Sequence, residues 1–412
     1  PPRMNIAIIG GGAAGFFAAI TCAETNPACQ VTIFERGKSV LEKVRVSGGG
    51  RCNVTHACFD ARELVKSYPR GSRELLGPFM QFGPEQTVAW FEQRGVRLKT
   101  EADGRMFPHT DDSQTIIDCL SRAAHQAGVR VLTSTRVEKI ERVGPLESPE
   151  SLTQSSKRWR IGSEAFDKIM LATGSSTTAW EWLRELGHNI VPPVPSLFTF
   201  NTKDTRLRDL AGVSIPKAWL SIPGTKLNAE GPLLVTHWGL SGPAVLRLSA
   251  WGARELNGMG YKFSLEVNFS GEQNPVAAGE VLNKIKLESG KKLVVANTQM
   301  ELPTRLWQRL VEAAGIAPER RWADLGKADL QALTSQMVAA QFQITGKSTF
   351  KEEFVTAGGV SLKEGNFKNF ESKICPGLFL AGEVLDIDAI TGGFNFQAAW
   401  TGGWLAGKAM GG

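Results

Sequence analysis

The sequence predicts an α/β fold in which a parallel-sheet domain is interrupted by a small antiparallel β-barrel domain and a small helical domain. Three observations lead to this fold class. An apolar segment runs into a glycine-rich turn over residues 5–15, short segments of alternating polarity fill residues 196–271, and residues 275–335 carry apolar side chains at helical spacing. A chain of 412 residues is long enough for two or three such domains.

The glycine-rich turn has the pattern GxGxxG between a predicted strand and a predicted helix. Gly10 allows the sharp turn, Gly12 lets the backbone approach a pyrophosphate, and Gly15 lets the helix pack close to the strand. The pyrophosphate then lies against free N–H groups at the helix start, which includes Ala13 and Ala14. The sequence therefore predicts a Rossmann-like dinucleotide site.

A second predicted strand, residues 31–34, supports this site because it ends in Glu35, 20 residues beyond Gly15. A carboxylate at this point is placed to accept the ribose hydroxyls of an adenine dinucleotide. Arg36 follows it and is included in the site. The alternative, a structural glycine-rich turn, does not explain this second strand and its terminal carboxylate.

A second glycine-rich segment has the sequence SGGGRCNVT over residues 47–55. Its three glycines predict a loop whose backbone can lie against a flat ligand, and the alternative is a surface turn. Together with two C-terminal motifs, GLFLAGEVLDID at 377–388 and TGGFNFQAAW at 391–400, the segment resembles the BaiN-like family of bacterial flavoproteins, which includes aminoacetone oxidases. The resemblance covers nearly the whole chain and implies that this loop binds FAD through Lys43, Ser47, Gly48, Gly49, Arg51, Cys52 and Asn53.

Three strands are predicted next, over residues 129–143, 159–162 and 168–172, with an exposed polar loop at 145–157. They are expected to form a β-meander in the first domain, an arrangement associated with two-dinucleotide-domain flavoproteins. Val137 is expected to offer backbone groups to adenine. Thr173 and Gly174 are expected to bring the chain back past the dinucleotide.

The middle of the chain predicts two inserted domains. Prolines at 192–195 predict a linker, because a proline cluster continues neither a helix nor a sheet. The predicted boundaries are 1–193 and 352–412 for the FAD-binding domain, 194–271 for the barrel, 272–335 for the helical domain and 336–351 for a strand returning to the barrel. The resemblance places the loop around His237 near the flavin. His237 is the candidate general acid or base, because imidazole titrates near neutral pH, and a structural histidine is the alternative.

The two C-terminal motifs complete the predicted FAD site. A buried strand runs into Gly382 and Glu383, where a carboxylate can bind the ribityl or pyrophosphate side of FAD, and Asp386 follows. A helix start within residues 391–400, aimed at the flavin pyrimidine, would stabilise negative charge at N1 and the C2 carbonyl. This role is assigned to the backbone of Asn395, Phe396, Gln397 and Ala398.

The sequence therefore predicts an oxidoreductase that binds FAD non-covalently, binds no metal, and exchanges hydride between flavin N5 and a small-molecule substrate held between the FAD domain and the barrel. The family resemblance leaves two routes open. One is oxidation of a small amine, and the other is reduction of an activated carbon–carbon double bond with NAD(P)H as a transient reductant. No second GxGxxG follows Gly15, which disfavours a dedicated nicotinamide domain.

Two further classes are weighed against this function. A disulfide reductase would use Cys52 and Cys58, but five residues separate them where such enzymes have four. A flavin-dependent RNA-modifying or RNA-binding protein fits the pI near 9.0, but the sequence shows no basic-aromatic RNA motif.

Composition narrows the remaining possibilities. The net charge of +6 is not concentrated in a Lys/Arg block, so no nucleic-acid partner is predicted. No apolar run reaches the ~18 residues that span a bilayer, so no membrane partner is predicted. The six cysteines match neither a disulfide framework nor a zinc pattern, and no signal-peptide pattern precedes the first strand. The expected location is the cytoplasm.

Overall fold

The computed structural model describes residues 4–143, 158–271, 274–349 and 355–412. The chain divides into two compact units. The first unit runs to Pro193 and resumes at Thr356, and the second spans Val194–Val355. The polar loop predicted at 145–157 lies outside the described residues.

The first unit alternates strands and helices up to the start of the second. Its elements are β1 (Asn5–Ile9), α1 (Ala13–Thr25), β2 (Gln30–Phe34), α2 (Glu42–Gly50), β3 (Thr55–His56), α3 (Ala61–Leu64), α4 (Ser72–Gln81), α5 (Pro84–Glu92), β4 (Leu98–Thr100), β5 (Arg105–Pro108), α6 (Ser113–Gln126), β6 (Arg130–Leu132), β7 (Glu141–Arg142), β8 (Trp159–Ile161), β9 (Glu164–Phe166), β10 (Lys168–Leu171), α7 (Thr177–Glu185) and β11 (Ile190–Ser196).

The second unit begins with strands and continues with helices. Its elements are β12 (Thr199–Asn201), β13 (Ser214–Ser221), β14 (Asn228–Val235), β15 (Gly239–Ser241), α8 (Pro243–Trp251), α9 (Ala253–Gly258), β16 (Phe263–Asn268), α10 (Pro275–Glu288), α11 (Thr304–Ala313), α12 (Lys327–Val338), β17 (Ala340–Ile344) and β18 (Gly346–Ser348). The chain then returns to the first unit through β19 (Val355–Val360), β20 (Gly365–Asn366), β21 (Glu371–Ser372), β22 (Leu378–Leu380) and α13 (Phe394–Gly411).

A seven-stranded sheet forms the centre of the first unit, in the order β20-β21-β22-β10-β1-β2-β6. The five strands from β22 to β6 pair in parallel, and β20 and β21 pair antiparallel at one edge. Ile6 and Ile8 of β1 are fully buried, as expected for the middle strand of a sheet covered on both faces. This arrangement confirms the predicted Rossmann-like domain.

The β-meander is present, but it uses different residues from those predicted. It consists of β7, β8 and β9, whereas β10 joins the parallel sheet. The predicted strand over 129–143 is wrong, because β6 ends at Leu132. Ser134 has a left-handed φ of 49°, and the N–H groups of Ser134 and Thr135 donate to the carbonyls of Gly37 and Glu35 at 2.7 and 2.8 Å.

The proline cluster at 192–195 is not the irregular linker that the sequence predicts. It lies within β11, which pairs with β19 in a two-stranded sheet. Proline is tolerated in such a strand because an edge strand leaves half of its N–H groups unpaired.

The second unit contains the predicted antiparallel barrel. Its seven strands follow the order β17-β16-β13-β14-β15-β12-β18, and every pairing among them is antiparallel. Thr345 alone separates β17 from β18, so one bent stretch of chain pairs with β16 at one end and with β12 at the other. This stretch closes the sheet on itself.

Helices α10, α11 and α12 occupy the segment where helices are predicted. They do not form a core of their own, because Leu282, Leu306 and Leu333 belong to the same buried cluster as the barrel residues Leu220 and Val267. The barrel and the helices therefore form one folded unit.

The helix pair α1 and α13 covers the parallel sheet. Three glycines of α13, Gly403, Gly407 and Gly411, follow one another at every fourth position. An added Cβ on each would lie 2.6–2.8 Å from a backbone carbonyl oxygen of α1, so only glycine allows this close packing. Among the residues that the structure describes, no helix is both long and apolar enough to cross a lipid bilayer.

Candidate functional site

The predicted glycine turn lies between β1 and α1, where its three glycines meet different surroundings. An added Cβ on Gly10 or Gly15 would lie closer than 3.0 Å to a backbone oxygen, of Ala172 and Gly10 respectively. An added Cβ on Gly12 meets nothing within 4 Å. Gly12 immediately precedes the first helical residue, so the open space lies at the positive end of α1. A pyrophosphate fits this position.

Glu35 lies at the end of β2, beside the glycine turn. Its two carboxylate oxygens accept hydrogen bonds from the N–H groups of Gly11 at 2.9 Å and Gly37 at 2.6 Å. These bonds fix the carboxylate next to the turn. An ionised carboxylate offers about four acceptor positions, so ribose hydroxyls could share it. Arg36 is exposed at the adjacent position.

The segment 47–53 forms an unusual loop at the end of α2. Gly48, Gly49 and Gly50 have left-handed φ values of 59°, 68° and 84°. The Cys52 N–H donates to the Ser47 carbonyl at 3.0 Å and closes the loop. An added Cβ on Gly49 or Gly50 meets nothing within 4 Å, so the backbone of this loop faces open space. This fits the predicted contact with a flat ligand.

Lys43 and Glu383, both predicted to contact FAD, form an ion pair with Nζ and Oε2 2.5 Å apart. An added Cβ on Gly174 would lie 3.8 Å from both of these atoms. Gly382 lies beside the start of α1, where an added Cβ would be 3.5 Å from the Cβ of Ala14. Four segments distant in sequence therefore meet around the α1 terminus.

Thr173 follows β10 in this group of segments. Its hydroxyl oxygen is buried and has no hydrogen-bond partner among the residues that the structure describes. A buried hydroxyl normally has a partner, so this atom is a candidate ligand contact. Together with the open space above Gly12 and Gly49, it shows that the residues present fit a bound dinucleotide.

The predicted loop and the predicted helix start lie next to each other. With the Asn53 amide oriented so that its nitrogen donates to the Thr55 carbonyl, its oxygen accepts from the Gly393 N–H, and both distances are 3.0 Å. The His56 ring stacks on Phe394 with centroids 4.5 Å apart, and its Nδ1 is 3.0 Å from the Gly392 carbonyl oxygen. The loop thus supports the N-terminus of α13.

Of the four residues predicted to offer backbone N–H groups at the start of α13, the structure leaves two with N–H groups available to a ligand. The Gln397 N–H donates to the Gly393 carbonyl at 3.0 Å, so it makes the first helical hydrogen bond. Ala398 lies further inside the helix. Asn395 and Phe396 precede that first bond, and their N–H groups are the ones available to a ligand.

The buried Gln397 side chain serves the fold instead. Its oxygen accepts from the hydroxyls of Thr55 at 2.6 Å and Thr87 at 3.0 Å, and its nitrogen donates to Thr401 at 3.0 Å.

Arg51 makes protein contacts that the sequence does not reveal. Its guanidinium lies 3.9 Å from the centroid of the Phe107 ring, and its Nη1 is 2.6 Å from Glu101 and 3.3 Å from Asp111. These carboxylates, Glu101 first, raise the pKa of Arg51. The side chain supports the glycine loop from the protein side, and its contact with FAD stays a prediction.

Two predicted residues occupy irregular backbone. Val137 is buried in the stretch between β6 and β7, close in sequence to the Thr135 N–H that bonds to Glu35. The Asp386 N–H donates to the Val360 carbonyl at 3.1 Å. Their contacts with FAD also stay predictions.

The two cysteines that a disulfide reductase would use both have a raised pKa, which favours the thiol over the thiolate. Burial raises the pKa of Cys52 to about 12, and burial also raises the pKa of Cys58, with Glu63 adding to the effect. Disulfide exchange requires a thiolate with access to its partner. The environment of both residues therefore disfavours a disulfide reductase.

His237 lies in the second unit, in the tight turn between β14 and β15. The Thr236 N–H donates to the Gly239 carbonyl at 2.8 Å, and the Gly239 N–H donates to the Thr236 hydroxyl at 3.1 Å. The imidazole is exposed, and its ring centroid is 6.5 Å from that of Trp238. Its acid–base role stays a prediction.

Three residues near the start of α13 were not found from the sequence: His56, Tyr68 and Arg70. Tyr68 donates its hydroxyl to the Phe394 carbonyl at 2.5 Å, and Arg70 forms a buried ion pair with Asp388. His56 directly follows the glycine-loop motif, and this position is the one feature of the sequence that marks it as a site residue. No local pattern marks Tyr68 or Arg70.

Comparison with known proteins identifies the family of this chain and several of its relatives. The chain matches the HI0933-like protein Rossmann domain family over residues 4–409. It is 29% identical to the 3-dehydro-bile acid delta(4,6)-reductase of Clostridium scindens, with 98% of both chains covered. It is 28% identical to the ribosomal RNA dihydrouridine synthase of Haemophilus influenzae, covering 96% of this chain and 95% of that one.

A solved structure, 3-ketosteroid delta1-dehydrogenase from Sterolibacterium denitrificans, aligns over 99% of both chains. The two sequences are 11% identical, and the TM-score is 0.49. The family match spans nearly the whole chain, and together with the bile-acid reductase relative it confirms the predicted BaiN-like resemblance. The protein therefore belongs to the HI0933-like Rossmann family and is an FAD-dependent oxidoreductase.

Proposed function

We propose that this protein reduces a carbon–carbon double bond conjugated to a carbonyl group, with NAD(P)H as the external reductant. The observation that carries the proposal is the chemistry shared by two relatives with different substrates. A delta(4,6)-reductase of a 3-dehydro bile acid saturates double bonds conjugated to a ketone, and a dihydrouridine synthase saturates the ring double bond of uracil beside its carbonyl. Of the two routes open from the sequence, this favours the reductase over the amine oxidase.

The reaction balances without a metal or a further redox partner. NAD(P)H gives up a hydride, the β-carbon of the substrate gains a hydride, and the α-carbon gains a proton from a general acid. FAD, when bound, supplies the two-electron carrier that exchanges hydride at N5.

Each part of the site in the first unit has a proposed task in this reaction. The positive end of α1 beside Gly12 holds the pyrophosphate, and Glu35 holds the adenosine ribose. The open backbone at Gly49 and Gly50 would lie against the cofactor. The N–H groups of Asn395 and Phe396 meet the flavin pyrimidine, where a helix N-terminus favours added negative charge.

The test is an anaerobic titration of the FAD-loaded protein, followed by absorbance. We expect NADH or NADPH to bleach the flavin band, and a 3-oxo-4,6-diene bile acid to restore it with a gain of two hydrogens in the product. No bleaching by either nicotinamide would rule out the reductase. Oxygen consumption with aminoacetone, without enone reduction, would favour the amine oxidase instead.

A second candidate substrate is uridine within ribosomal RNA. The Haemophilus relative favours it, and the net charge of +6 is compatible with an RNA partner, although the sequence predicted none. An unmodified ribosomal RNA transcript incubated with protein and NADPH should then gain dihydrouridine, detected by mass spectrometry of its nucleosides. Free uridine is the control, because a site that reads RNA structure should leave it unchanged.

A further inference from the structure

The chain enters α13 through residues 381–393, which lie outside the strands and helices. This loop decides where the first N–H groups of α13 point. The field of a helix terminus falls off within its first turn, so a small displacement of the loop changes the interaction with a bound group. The contacts that hold the loop therefore affect how strongly the helix terminus interacts with the cofactor.

One short stretch, residues 67–71, holds the loop from one side, and we refer to it as the clamp segment. The carbonyl of Ser67 accepts from the Ile390 N–H at 3.0 Å. Gly71 has a φ of +93°, and an added Cβ there would lie 2.8 Å from Cγ1 of Ile387. The clamp segment and the loop are therefore in close contact.

The strongest link is the ion pair between Arg70 and Asp388. The guanidinium binds both carboxylate oxygens, Nε to Oδ1 and Nη2 to Oδ2, the latter at 2.5 Å. The Asp388 side chain is fully buried, and that of Arg70 is 15% exposed. Removing one member of such a pair leaves an unpaired buried charge, which is strongly destabilising. The pair therefore holds Arg70 and Asp388 firmly together.

Tyr68 adds a direct link to the helix. Its hydroxyl donates to the carbonyl of Phe394, the first residue of α13, at 2.5 Å. The side chain is fully buried, and burial raises the pKa of the hydroxyl well above its ordinary value. It therefore stays protonated and keeps donating across the physiological pH range.

The loop is also held by two residues described above, Asn53 and His56. Asn53 binds the Gly393 N–H, and His56 lies against Gly392 and Phe394. The helix start thus contacts both the glycine loop and the clamp segment. Of these two supports, only the glycine loop is predicted to touch FAD.

We propose that Tyr68 and Arg70 are positioning residues for the cofactor: they fix the loop 381–393 and thereby direct the N–H groups of Asn395 and Phe396 towards the flavin pyrimidine. They act through Phe394 and Asp388 and do not touch the flavin themselves. The inference rests on FAD binding in the proposed function and is independent of the substrate. It assigns to these two residues part of the control of flavin affinity and redox potential.

The experiment compares Arg70→Met, Arg70→Lys and Tyr68→Phe with a control, Arg94→Met. Arg94 also forms an ion pair in the first unit, with its Nη2 2.8 Å from Glu24, but it does not contact the loop. The readouts are the FAD dissociation constant, from fluorescence, and the midpoint potential, from equilibration with a reference dye. Both are independent of any substrate, so a failed enone assay leaves them interpretable.

We expect Arg70→Met to raise the FAD dissociation constant by about tenfold or more, since each ~1.4 kcal/mol gives a factor of ten, and to lower the midpoint potential. Tyr68→Phe should shift both quantities in the same direction by smaller factors. Arg70→Lys should recover part of the loss, and Arg94→Met should match the unmodified protein.

Unchanged affinity and potential in folded Arg70→Met and Tyr68→Phe would overturn the inference. Weaker affinity with an unchanged potential would also overturn it, because that pattern indicates a purely structural role. If Arg70→Met does not fold, as judged by thermal unfolding, Tyr68→Phe decides the question alone.

Discussion

The two glycine-rich segments of the first unit use glycine for opposite reasons. At Gly10 and Gly15 a side chain would collide with backbone atoms of the protein itself, so glycine there serves packing between β1, α1 and the end of β10. At Gly49 and Gly50 a side chain would meet nothing within 4 Å, and glycine instead permits left-handed φ values of 68° and 84°. Glycine in the first segment is required by the fold, whereas the second segment leaves its backbone open, as the predicted ligand contact requires.

The same difference distinguishes glycines within the GxGxxG motif. Gly12 stands between Gly10 and Gly15 in sequence, yet its surroundings resemble those of Gly49, because the space above it is open. Within the motif, Gly10 and Gly15 are therefore required for packing of the fold, whereas Gly12 is required by the predicted ligand. Substitution by alanine should separate the two.

The largest effect is expected for Gly15→Ala. The added Cβ would lie closer than 3.0 Å to the Gly10 carbonyl oxygen, and backbone atoms cannot move aside as a flexible side chain can. We expect a loss of about 3 kcal/mol or more in the free energy of unfolding, measured in urea without cofactor. Gly77→Ala is the control, since Gly77 is exposed on α4 with nothing within 4 Å. A stable Gly15→Ala protein would contradict the packing argument.

Gly12→Ala should separate stability from binding. The φ of Gly12 is −95°, which alanine adopts freely, so the cofactor-free protein should lose less than about 1 kcal/mol. The new methyl group would occupy the space assigned to the pyrophosphate, and we expect FAD affinity to fall by more than about tenfold. Equilibrium dialysis with FAD measures this. Retained affinity would mean that the pyrophosphate lies elsewhere.

Gly49→Ala should have a mixed effect. A left-handed conformation costs a residue with a Cβ about 1 kcal/mol, so stability should fall by that amount. Gly128→Ala carries the same strain, with a φ of 76° and nothing within 4 Å, but it follows α6 away from the loop. Both variants should unfold at similar urea concentrations, and only Gly49→Ala should also bind FAD more weakly. Equal FAD affinities would remove the loop from the site.

The smallest effect concerns Cys52, which closes the second segment on its protein side. Folding raises its pKa from 9.0 to about 12, so the folded protein keeps a proton that the unfolded chain releases. The resulting stabilisation is fully present below pH 9 and is lost as the pH rises towards 12, by about 1.4 kcal/mol per pH unit. Cys52→Ala should flatten this decline in urea unfolding above about pH 9. The variant should still oxidise NAD(P)H at neutral pH, whereas a redox role for Cys52 would abolish turnover.

Sequence reasoning succeeded where structure is set by neighbouring residues. The order of strand, turn and helix at 5–15 follows from local pattern, and so does the alternation that produces the barrel strands. The resemblance added the glycine loop and the helix start. It gave Lys43 and Glu383 separately but not their ion pair, because the two residues are 340 positions apart.

Other features depend on distant partners and leave no local pattern. Arg70 and Tyr68 bind residues 318 and 326 positions away, and a single sequence does not indicate which buried polar groups will pair. The prediction of a strand through Val137 failed for a related reason. The backbone at Ser134 and Thr135 bonds to Gly37 and Glu35 instead of to a neighbouring strand, and β-propensity along the segment does not reveal that choice.

The glycine stripe of α13 has a consequence for how the protein is made. α1 packs closely along α13, which is translated after the whole of the second unit. During synthesis, the apolar surface of α1 that packs against α13 stays uncovered. It remains so while the barrel and its helices are translated and fold. The same late helix carries the N–H groups of Asn395 and Phe396, which are proposed to meet the flavin pyrimidine. We therefore expect FAD to bind securely only after translation of α13, and a nascent chain stalled before α13 to depend on chaperones to stay soluble.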